Sequence, residues 1–492
     1  MIAKRHLLSV ALALATGASA TSADTLLDVY ELALKNDPQL KAAEATYRAD
    51  LETEKLSRSA LLPQVVGQAY YQDSETDAES KSTNITSGPF GGSNVTIIDQ
   101  ASTTDSETEH YSVSLNQAIF DLPAWFSFKA GKKVTERAEA QLAFDQQALI
   151  VRVAEAYFEV LKARENLDAS MAEERAAKRQ LEQTQQRFDV GLIAITDVHE
   201  SRAVYDSAVA QRLGFEGSLA IARENLTTLT GAEHGKLWPL SEDFPIEPPV
   251  PADRASWVDF ALKNNYQLKV TQASSDSAYQ TARAKKMEHL PTISGSFSYS
   301  KEDMDGSRTF NPVSTFAVPP DSSFETEALR ITLEVPLFAG GGISAGRRQA
   351  YEQYNAARHN AQLTQRQVVS ATRAQHIAVS TDVQTVKARK LNIVSARSAL
   401  DATEAGYEVG TRNVVDVLNA QRALYAAIRD YSNARYDYVL DMLQLKQNAG
   451  TLSPADIHQL NKWKKMRRKK NERKRKAKVK KKKKRGEIKE KK

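Results

Sequence analysis

Two long stretches without proline restrict the fold of this chain more than any other feature. No proline occurs in residues 124–238, a run of 115 residues, or in residues 337–453, a run of 117 residues. Proline breaks helices, and both stretches are rich in residues of high helix propensity. In the first stretch, apolar residues recur at alternating steps of four and three, the spacing of coiled coils. A helix from about Ala124 to Asp189 would be roughly 100 Å long, so the sequence predicts an elongated molecule.

The two halves of the chain repeat one design. Residues 33–41 return as residues 261–269 with seven of nine positions identical, and Gly191 corresponds to Gly410. Each glycine interrupts a helical stretch and is followed by polar or β-branched residues, so we predict a turn between two antiparallel helices at both places. The repeat predicts a first structural repeat over residues 24–230, an equatorial linker over 231–252, a second repeat over 253–450 and an equatorial C-terminal segment over 451–463.

Four short segments alternate apolar and polar residues, as strands with two different faces do. In the clearest case, residues 293–299, apolar residues and a glycine alternate with serines. A period of two is the signature of a half-buried strand. We therefore predict strands at about 63–73, 109–120, 290–301 and 327–338. The polar segments 72–110 and 301–326 are predicted to be solvated loops.

The N-terminus has the pattern of a secretion signal. Lys4 and Arg5 precede an apolar run over residues 7–15, and small residues suited to a signal peptidase follow. We predict a signal peptide over residues 1–20, with Ala23 as the alternative cleavage position; a short buried helix is the competing interpretation. No later segment has about 18 consecutive apolar residues. The sequence therefore predicts export without a transmembrane helix.

Charge is divided unevenly along the chain, whose formal net charge is +6. Residues 462–492 hold 21 of the 67 basic residues and three of the 61 acidic ones, so this segment carries +18 and the preceding 461 residues carry −12. Such a dense run of like charges cannot be buried, and we interpret residues 464–492 as a disordered basic tail. A nucleic-acid partner would rest on this tail alone, and the export signal and the acidic body argue against it.

The four predicted strands have two possible uses. They could form the sheet of a soluble α+β domain, but the chain is predicted to be exported and no matched helix follows to cover their apolar faces. Strands of about ten residues with an apolar outer face and a polar inner face are typical of outer-membrane barrels. Four strands cannot close, and an open edge in lipid leaves backbone groups unpaired. We therefore predict a barrel of eight or twelve strands from two or three chains, and the polar inner faces favour an open duct.

Five motifs occur in repeated order over about residues 24–463. They are Leu61-Leu62-Pro63-Gln64, Ala156-Tyr157-Phe158, Arg187-Phe188-Asp189-Val190-Gly191-Leu192, Gly406-Tyr407-Glu408-Val409-Gly410-Thr411-Arg412 and Asn433-Ala434-Arg435-Tyr436. Together they resemble the TolC family of outer-membrane efflux ducts. The resemblance implies an α+β membrane protein with internal duplication. In this fold a homotrimer forms a twelve-stranded outer-membrane β-barrel, four strands per chain, continued by a long α-helical coiled-coil tunnel in the periplasm.

The resemblance also implies a function and partners. The function is a passive exit duct of a Gram-negative bacterium, for tripartite efflux pumps or type I protein secretion, which partners open at its periplasmic tip. The implied partners are a periplasmic adaptor (membrane fusion) protein, an inner-membrane transporter of RND, ABC or MFS type, and outer-membrane lipid. The alternative is an exported coiled-coil structural or adhesin-like protein without channel activity, which would need no apolar-faced strands.

A gate at the periplasmic tip is the first site that the resemblance implies. In the family, contacts between neighbouring helical hairpins hold the closed state. Matched motif by motif, these contacts fall on Thr196 and Asp197 after the first turn and on Tyr407 and Arg412 beside the second. The implied pairs are Arg412 with Thr196 or Asp197, and Tyr407 with an aspartate. An exposed arginine–carboxylate pair is directional but weak, which suits a latch that a partner must open.

A pore constriction is the second implied site. Asp416 matches the family's constriction aspartate, whereas the position one helical turn on, usually a second aspartate, is Asn419. Three copies of Asp416 in a trimer would form a single acidic ring, which attracts cations.

Catalytic and metal-binding patterns were not found. The chain has no cysteine, which excludes thiolate nucleophiles and Cys-based zinc sites. The glycines at 340–342 lack the Lys-Ser/Thr of a phosphate loop, and His199-Glu200 lacks the second histidine of a zinc motif. We predict no enzyme activity, no cofactor and no metal site.

Overall fold

The computed structural model describes residues 23–87, 91, 93–311 and 318–462. The predicted signal peptide and the predicted basic tail lie outside these residues. The described residues divide into two compact units. The first contains residues 23–45, 140–269 and 363–462, and the second contains residues 46–87, 91, 93–139, 270–311 and 318–362. No helix in the described part of the chain combines the length and the apolar character that a membrane span requires.

The helices account for most of both repeats. In chain order they are α1 (Leu26–Asn36), α2 (Pro38–Ser59), α3 (Leu122–Asp189), α4 (Ile195–Thr230), α5 (Arg254–Asn264), α6 (Tyr266–Met287), α7 (Gly342–Glu408) and α8 (Val414–Asn448). The proline-free stretches form α3 and α7, of 68 and 67 residues, each followed by a turn and a helix about half as long. A final helical segment occupies residues 454–462.

The motif repeated near the start of each half marks the same helix break. Asp37 separates α1 from α2, and its carboxylate accepts a hydrogen bond from the N–H of Leu40 at 3.1 Å. Asn265 separates α5 from α6, and its side-chain oxygen accepts one from the N–H of Leu268 at 2.9 Å. Short polar side chains at this position satisfy the free N–H groups of a helix start. Both leucines are 2 % exposed, so the break fixes where the second helix enters the core.

The first compact unit has its core between the long helices. Tyr157, Phe158 and Tyr436 are at most 1 % exposed, and the rings of Phe158 and Tyr436 lie 5.5 Å apart. The Tyr436 hydroxyl donates to the Glu165 carboxylate at 2.6 Å, and the Tyr157 hydroxyl donates to the carbonyl of Trp238 at 2.8 Å. Buried tyrosines usually satisfy their hydroxyl in this way. These bonds join α3 to α8 and to the linker.

The second compact unit contains a four-stranded antiparallel sheet. Its strands, in sheet order, are β1 (Gln64–Ser87), β2 (Ser93–Phe120), β3 (Thr292–Asn311) and β4 (Ser322–Glu334). One row across the sheet is apolar, formed by Val65, Leu115, Phe297 and Leu329. A row on the opposite face is polar, formed by Gln68, Ser112, Ser300 and Thr326. Val65 is 65 % and Leu329 is 80 % exposed, so the apolar face is uncovered within one chain.

The two polar segments predicted as loops, 72–110 and 301–326, are largely strand, so that prediction is wrong for their described residues. Pairing of β1 with β2 continues as far as Ser87 opposite Ser93, and pairing of β3 with β4 continues as far as Met304 opposite Ser322. Alternation reveals a strand only where one of its faces is apolar. These extensions carry Ser, Thr, Asp and Glu on both faces, and the backbone ladder does not require alternation.

Two predicted boundaries also differ from the structure. The last strand ends at Glu334 rather than near residue 338, and Pro336 soon after it cannot donate a ladder hydrogen bond. The first long helix begins at Leu122 rather than Ala124.

Candidate functional site

The first hairpin turn follows the end of α3 and is centred on Gly191. This residue has φ of 78°, in the left-handed region that glycine adopts without strain. Its N–H donates to the carbonyl of Phe188 at 2.8 Å, and the N–H of Leu192 donates to the carbonyl of Arg187 at 2.9 Å. This pair of bonds satisfies the last carbonyls of α3. The chain then enters α4 at Ile195.

The second hairpin turn is built in the same way around Gly410, whose φ is 79°. The N–H of Thr411 donates to the carbonyl of Gly406 at 2.9 Å. Gly406 has a second role, because a Cβ atom there would lie 2.8 Å from Cγ of Arg412. The absence of a side chain at Gly406 therefore leaves room for the side chain of Arg412.

Asp197 and Asp416 are both the third residue of the helix that follows a turn. Asn413 caps α8, since its side-chain oxygen accepts a hydrogen bond from the N–H of Asp416 at 2.8 Å. The corresponding residue before α4, Ala194, has no side-chain cap. Carboxylates in the first turn interact favourably with the helix dipole. Stabilisation of the helix start is thus one ordinary role for both aspartates.

Arg412 lies in the turn just before α8 and pairs with Asp416 in the first turn of that helix. Their charged atoms lie 3.6 Å apart, and the side chains are 62 % and 38 % exposed. Such a pair contributes about 0–1 kcal/mol. Within the described chain Arg412 makes no hydrogen bond or ion pair with Thr196, which is exposed, or with Asp197, which is half-buried. The predicted contact of Arg412 with the other hairpin therefore stays a prediction for an assembly of several chains.

Tyr407 contacts Arg187 across the two turns, a contact that the motifs of the sequence did not predict. The guanidinium of Arg187 lies 4.7 Å from the ring centroid of Tyr407, within the range of a cation–π interaction. The Tyr407 hydroxyl is buried and has no hydrogen-bond partner among the described residues. The contact could have been predicted from the internal repeat. The repeat aligns Phe188 with Tyr407, so Arg187, the residue before Phe188, lies at about the same distance from its hairpin turn as Tyr407 does. The predicted pairing of Tyr407 with an aspartate is not made within one chain.

The two residues predicted to line the pore constriction lie in the first turns of α8. Asp416 is half-exposed and Asn419, three residues on, is exposed. In the described part of the chain, no cluster of three or more His, Asp or Glu side chains is arranged to hold a metal ion.

A second group of acidic residues lies between α7 and α8, away from the turns. Burial, and then the neighbouring carboxylates of Asp441 and Asp437, raise the pKa of Asp382 to about 7. One carboxylate oxygen of Asp382 is buried without a hydrogen-bond partner among the described residues. Asp437 is paired with Lys162 at 2.5 Å. Asp382 and Asp441 are neighbours, and neither forms an ion pair with a Lys, Arg or His side chain among the described residues.

We expect this carboxylate pair to make stability depend on pH. The pKa of Asp382 is higher in the folded state than the ordinary 3.8, so the folded state binds the proton more tightly. The free energy of unfolding then falls as pH rises from about 4 to about 7 and is flat above that range. Replacing Asp382 by Asn should raise the free energy of unfolding at pH 8 by on the order of 1–2 kcal/mol per chain, after allowance for solvent screening, and with it the melting temperature. The gain should shrink towards pH 4.5.

Thermal unfolding followed by circular dichroism at pH 4.5, 6, 7 and 8 measures this effect. Asp401→Asn, an exposed position on the same helix α7, is the matched control and should show no such trend. A gain for Asp382→Asn that is equal at every pH would contradict the prediction.

The chain is similar to a known protein family over most of its length. The profile of the family described as "Outer membrane efflux protein" matches residues 29–232 and 257–451. Outer membrane protein TolC of Vibrio cholerae serotype O1 is 36% identical over 464 residues, covering 94% of this chain and 99% of that protein. Alkaline protease secretion protein AprF of Pseudomonas aeruginosa is 30% identical over 436 residues, covering 88% of this chain and 85% of that protein. Among solved structures, the CmeC outer membrane channel of Campylobacter jejuni has the same fold, with a TM-score of 0.68, 18% identity and 89% of each chain covered.

Proposed function

This chain belongs to the outer membrane efflux protein family, and from that membership we propose that it is the exit duct of tripartite efflux pumps or of type I secretion systems. It is an outer-membrane protein that extends into the periplasm. Its working form is a homotrimer with a twelve-stranded barrel and a helical tunnel. A periplasmic adaptor protein and an inner-membrane transporter of RND, ABC or MFS type dock onto it, and the duct itself is passive.

The sheet is the observation that carries this proposal. Its apolar face is exposed, its opposite face is polar, and among the described residues of one chain neither β1 nor β4 has a strand partner on its outer edge. In lipid every backbone group needs a partner, so a sheet of this kind must close with further copies. Three copies give twelve strands, enough for an open lumen lined by the polar face. An exported coiled-coil protein without a channel has no use for such a face.

The hairpin turns support a gate at the periplasmic tip. Arg412 is mostly exposed, and the buried hydroxyl of Tyr407 lacks a partner among the described residues. In our proposal both groups find partners on a neighbouring hairpin of the trimer, with Thr196 and Asp197 on the receiving side. Each such contact is weak, so docking of an adaptor can release it.

The proposed duct function can be tested with protein isolated from outer-membrane fractions. We expect a trimer that dissociates on heating and that forms ion channels in planar lipid bilayers after purification. A soluble monomer without channel activity would refute the duct. Loss of resistance to toxic compounds, or loss of a secreted protein, in a deletion strain then separates efflux from secretion.

We further predict that Asp416 sets the cation preference of the pore. Replacing it by Asn removes three negative charges from one ring, so the cation-to-anion permeability ratio should fall by roughly threefold or more. The ratio is read from the reversal potential of single channels under a salt gradient. Asp259→Asn, an exposed change on the short helix α5, removes the same charge away from the long helices and should leave the ratio unchanged. An unchanged ratio for Asp416→Asn would remove this residue from the constriction.

A further inference from the structure

A charged cavity lies on the first compact unit, and its lining includes none of the residues of the two hairpin turns. It encloses about 560 Å³ between α3, α4 and the linker segment 235–239. Its lining includes three cations, Arg164, Arg223 and Lys236, a single acid, Asp168, and the aromatic ring of Trp238. This volume is typical of sites for small ligands.

The linker wall of the cavity is held in place by hydrogen bonds. The guanidinium of Arg164 donates to the carbonyl of Leu237 at 3.2 Å. The N–H of Asp24 donates to the carbonyl of Lys236 at 2.9 Å, and the N–H of Trp238 donates to the carbonyl of Asp24 at 3.1 Å. These bonds fix the segment that carries Lys236 and Trp238. The cavity therefore exists before any ligand arrives, which lowers the entropic cost of binding.

The charge of the cavity is opposite to that of the protein body. Three cations and one acid converge here, whereas the chain before residue 462 carries −12. Arg223, Lys236 and Asp168 make no ion pair with any residue that the structure describes. Cations that converge without partners repel each other, and an anionic ligand relieves that repulsion.

We propose that this cavity binds a short acidic peptide that also carries an amino group, and that the peptide is the stem peptide of peptidoglycan. Arg223 and Lys236 bind its carboxylates, for which an arginine fork and an ammonium are well suited. The Asp168 carboxylate accepts hydrogen bonds from the amino group of the peptide, and Trp238 packs against its aliphatic part. This inference rests on the proposed function in one respect, since it requires the helical part of the duct to lie in the periplasm, where peptidoglycan surrounds it.

The size of the cavity favours a stem peptide over an acidic segment of a folded protein. About 560 Å³ holds three or four residues, and a protein partner would need a far larger contact to bind specifically. The mixture of three cations with one acid also fits a zwitterionic peptide with excess negative charge better than a simple anion.

The experiment measures peptide binding to the purified full-length trimer in detergent by isothermal titration calorimetry. The probe is the tripeptide L-Ala–D-Glu–diaminopimelic acid, and the comparison peptide is Ala-Ala-Lys. We expect binding of the acidic tripeptide, weakened by salt, and little binding of the cationic one. The double variant R223Q/K236Q should bind the probe roughly tenfold or more weakly. The side chains of Arg223 and Lys236 are exposed, so their replacement should not disturb folding. The control variant R202Q changes an exposed residue elsewhere on α4 and should bind the probe as the wild type does.

Channel formation in planar bilayers is recorded for the same preparations. Intact channels without tripeptide binding would overturn this inference and leave the duct standing. Equal binding by the wild type and the double variant, or equal binding of the two peptides, would also overturn it. Binding of acidic protein segments in place of the tripeptide would assign the cavity to a protein partner and overturn it as well.

Discussion

Replacing Gly450 by alanine is expected to prevent normal assembly of the protein. Gly450 has φ of 70°, and a Cβ atom there would lie 2.4 Å from the backbone carbonyl of Asn264 and 2.7 Å from the backbone nitrogen of Asn265. No real Cβ atom tolerates such distances to backbone, so one of the two segments must move. Neither moves easily, because Asn265 caps α6 and its side-chain amide donates to the carbonyl of Asn448 at 2.9 Å.

The repeat supplies the control for this variant. Gly231 is the counterpart of Gly450 and has the same φ of 70°, but a Cβ atom there would lie 3.7 Å from the side chain of Asn36, an ordinary contact. Gly231→Ala therefore suffers only the backbone strain of a left-handed alanine, about 1–2 kcal/mol. Gly450→Ala suffers the same strain plus the collision, which we place at about 3–5 kcal/mol in total.

The measurement compares the two variants directly. We expect Gly231→Ala to reach the outer membrane as a heat-dissociable trimer at near wild-type level, with a small loss of melting temperature. Gly450→Ala should give little or no trimer. Equal trimer levels and equal melting temperatures for the two variants would show that the close approach at Gly450 does not constrain the fold.

The contrast between these glycines also shows what a sequence can reveal. Both follow a long helix in a repeated pattern, so a left-handed helix end at each was within reach of sequence reasoning. The collision at Gly450 depends on which backbone segment packs against it from more than 180 residues away along the chain. The long helices and the turns at Gly191 and Gly410 belong to the first kind of feature, because proline and glycine act through local backbone geometry.

The sequence did not predict the features that depend on contacts between residues far apart along the chain. The polar extensions of the strands have no apolar face from which a strand could be predicted. They are recognised only from the hydrogen-bond ladders between β1 and β2 and between β3 and β4. The contact of Arg187 with Tyr407 joins two hairpins, and the charged cavity combines side chains from two helices and the linker. The family resemblance supplied the gate residues, yet it gave Arg412 a partner on another hairpin, whereas within one chain Arg412 is paired with Asp416.

Replacing Arg412 by serine is expected to raise the conductance of the closed trimer several-fold in planar bilayers. In our proposal the Arg412 side chain links neighbouring hairpins and so keeps the tip narrow. Its intrachain pair with Asp416 is long, at 3.6 Å, and exposed, so it competes weakly with a partner on another hairpin. Serine is too short to reach either partner. The loss of a positive charge by itself should alter ion selectivity more than conductance, which separates the two effects.

Two further variants decide which pair forms the latch. Arg422→Ser removes the same charge from an exposed position on α8, about three turns further along, and should leave the closed-state conductance unchanged. Asp416→Asn breaks the intrachain pair but keeps Arg412 free to contact another hairpin, so it should change selectivity while the trimer stays closed. If Asp416→Asn opened the pore as far as Arg412→Ser does, the intrachain pair would be the latch. An unchanged conductance for Arg412→Ser would remove this arginine from the gate, because a side chain that holds the closed tip cannot be lost without widening it.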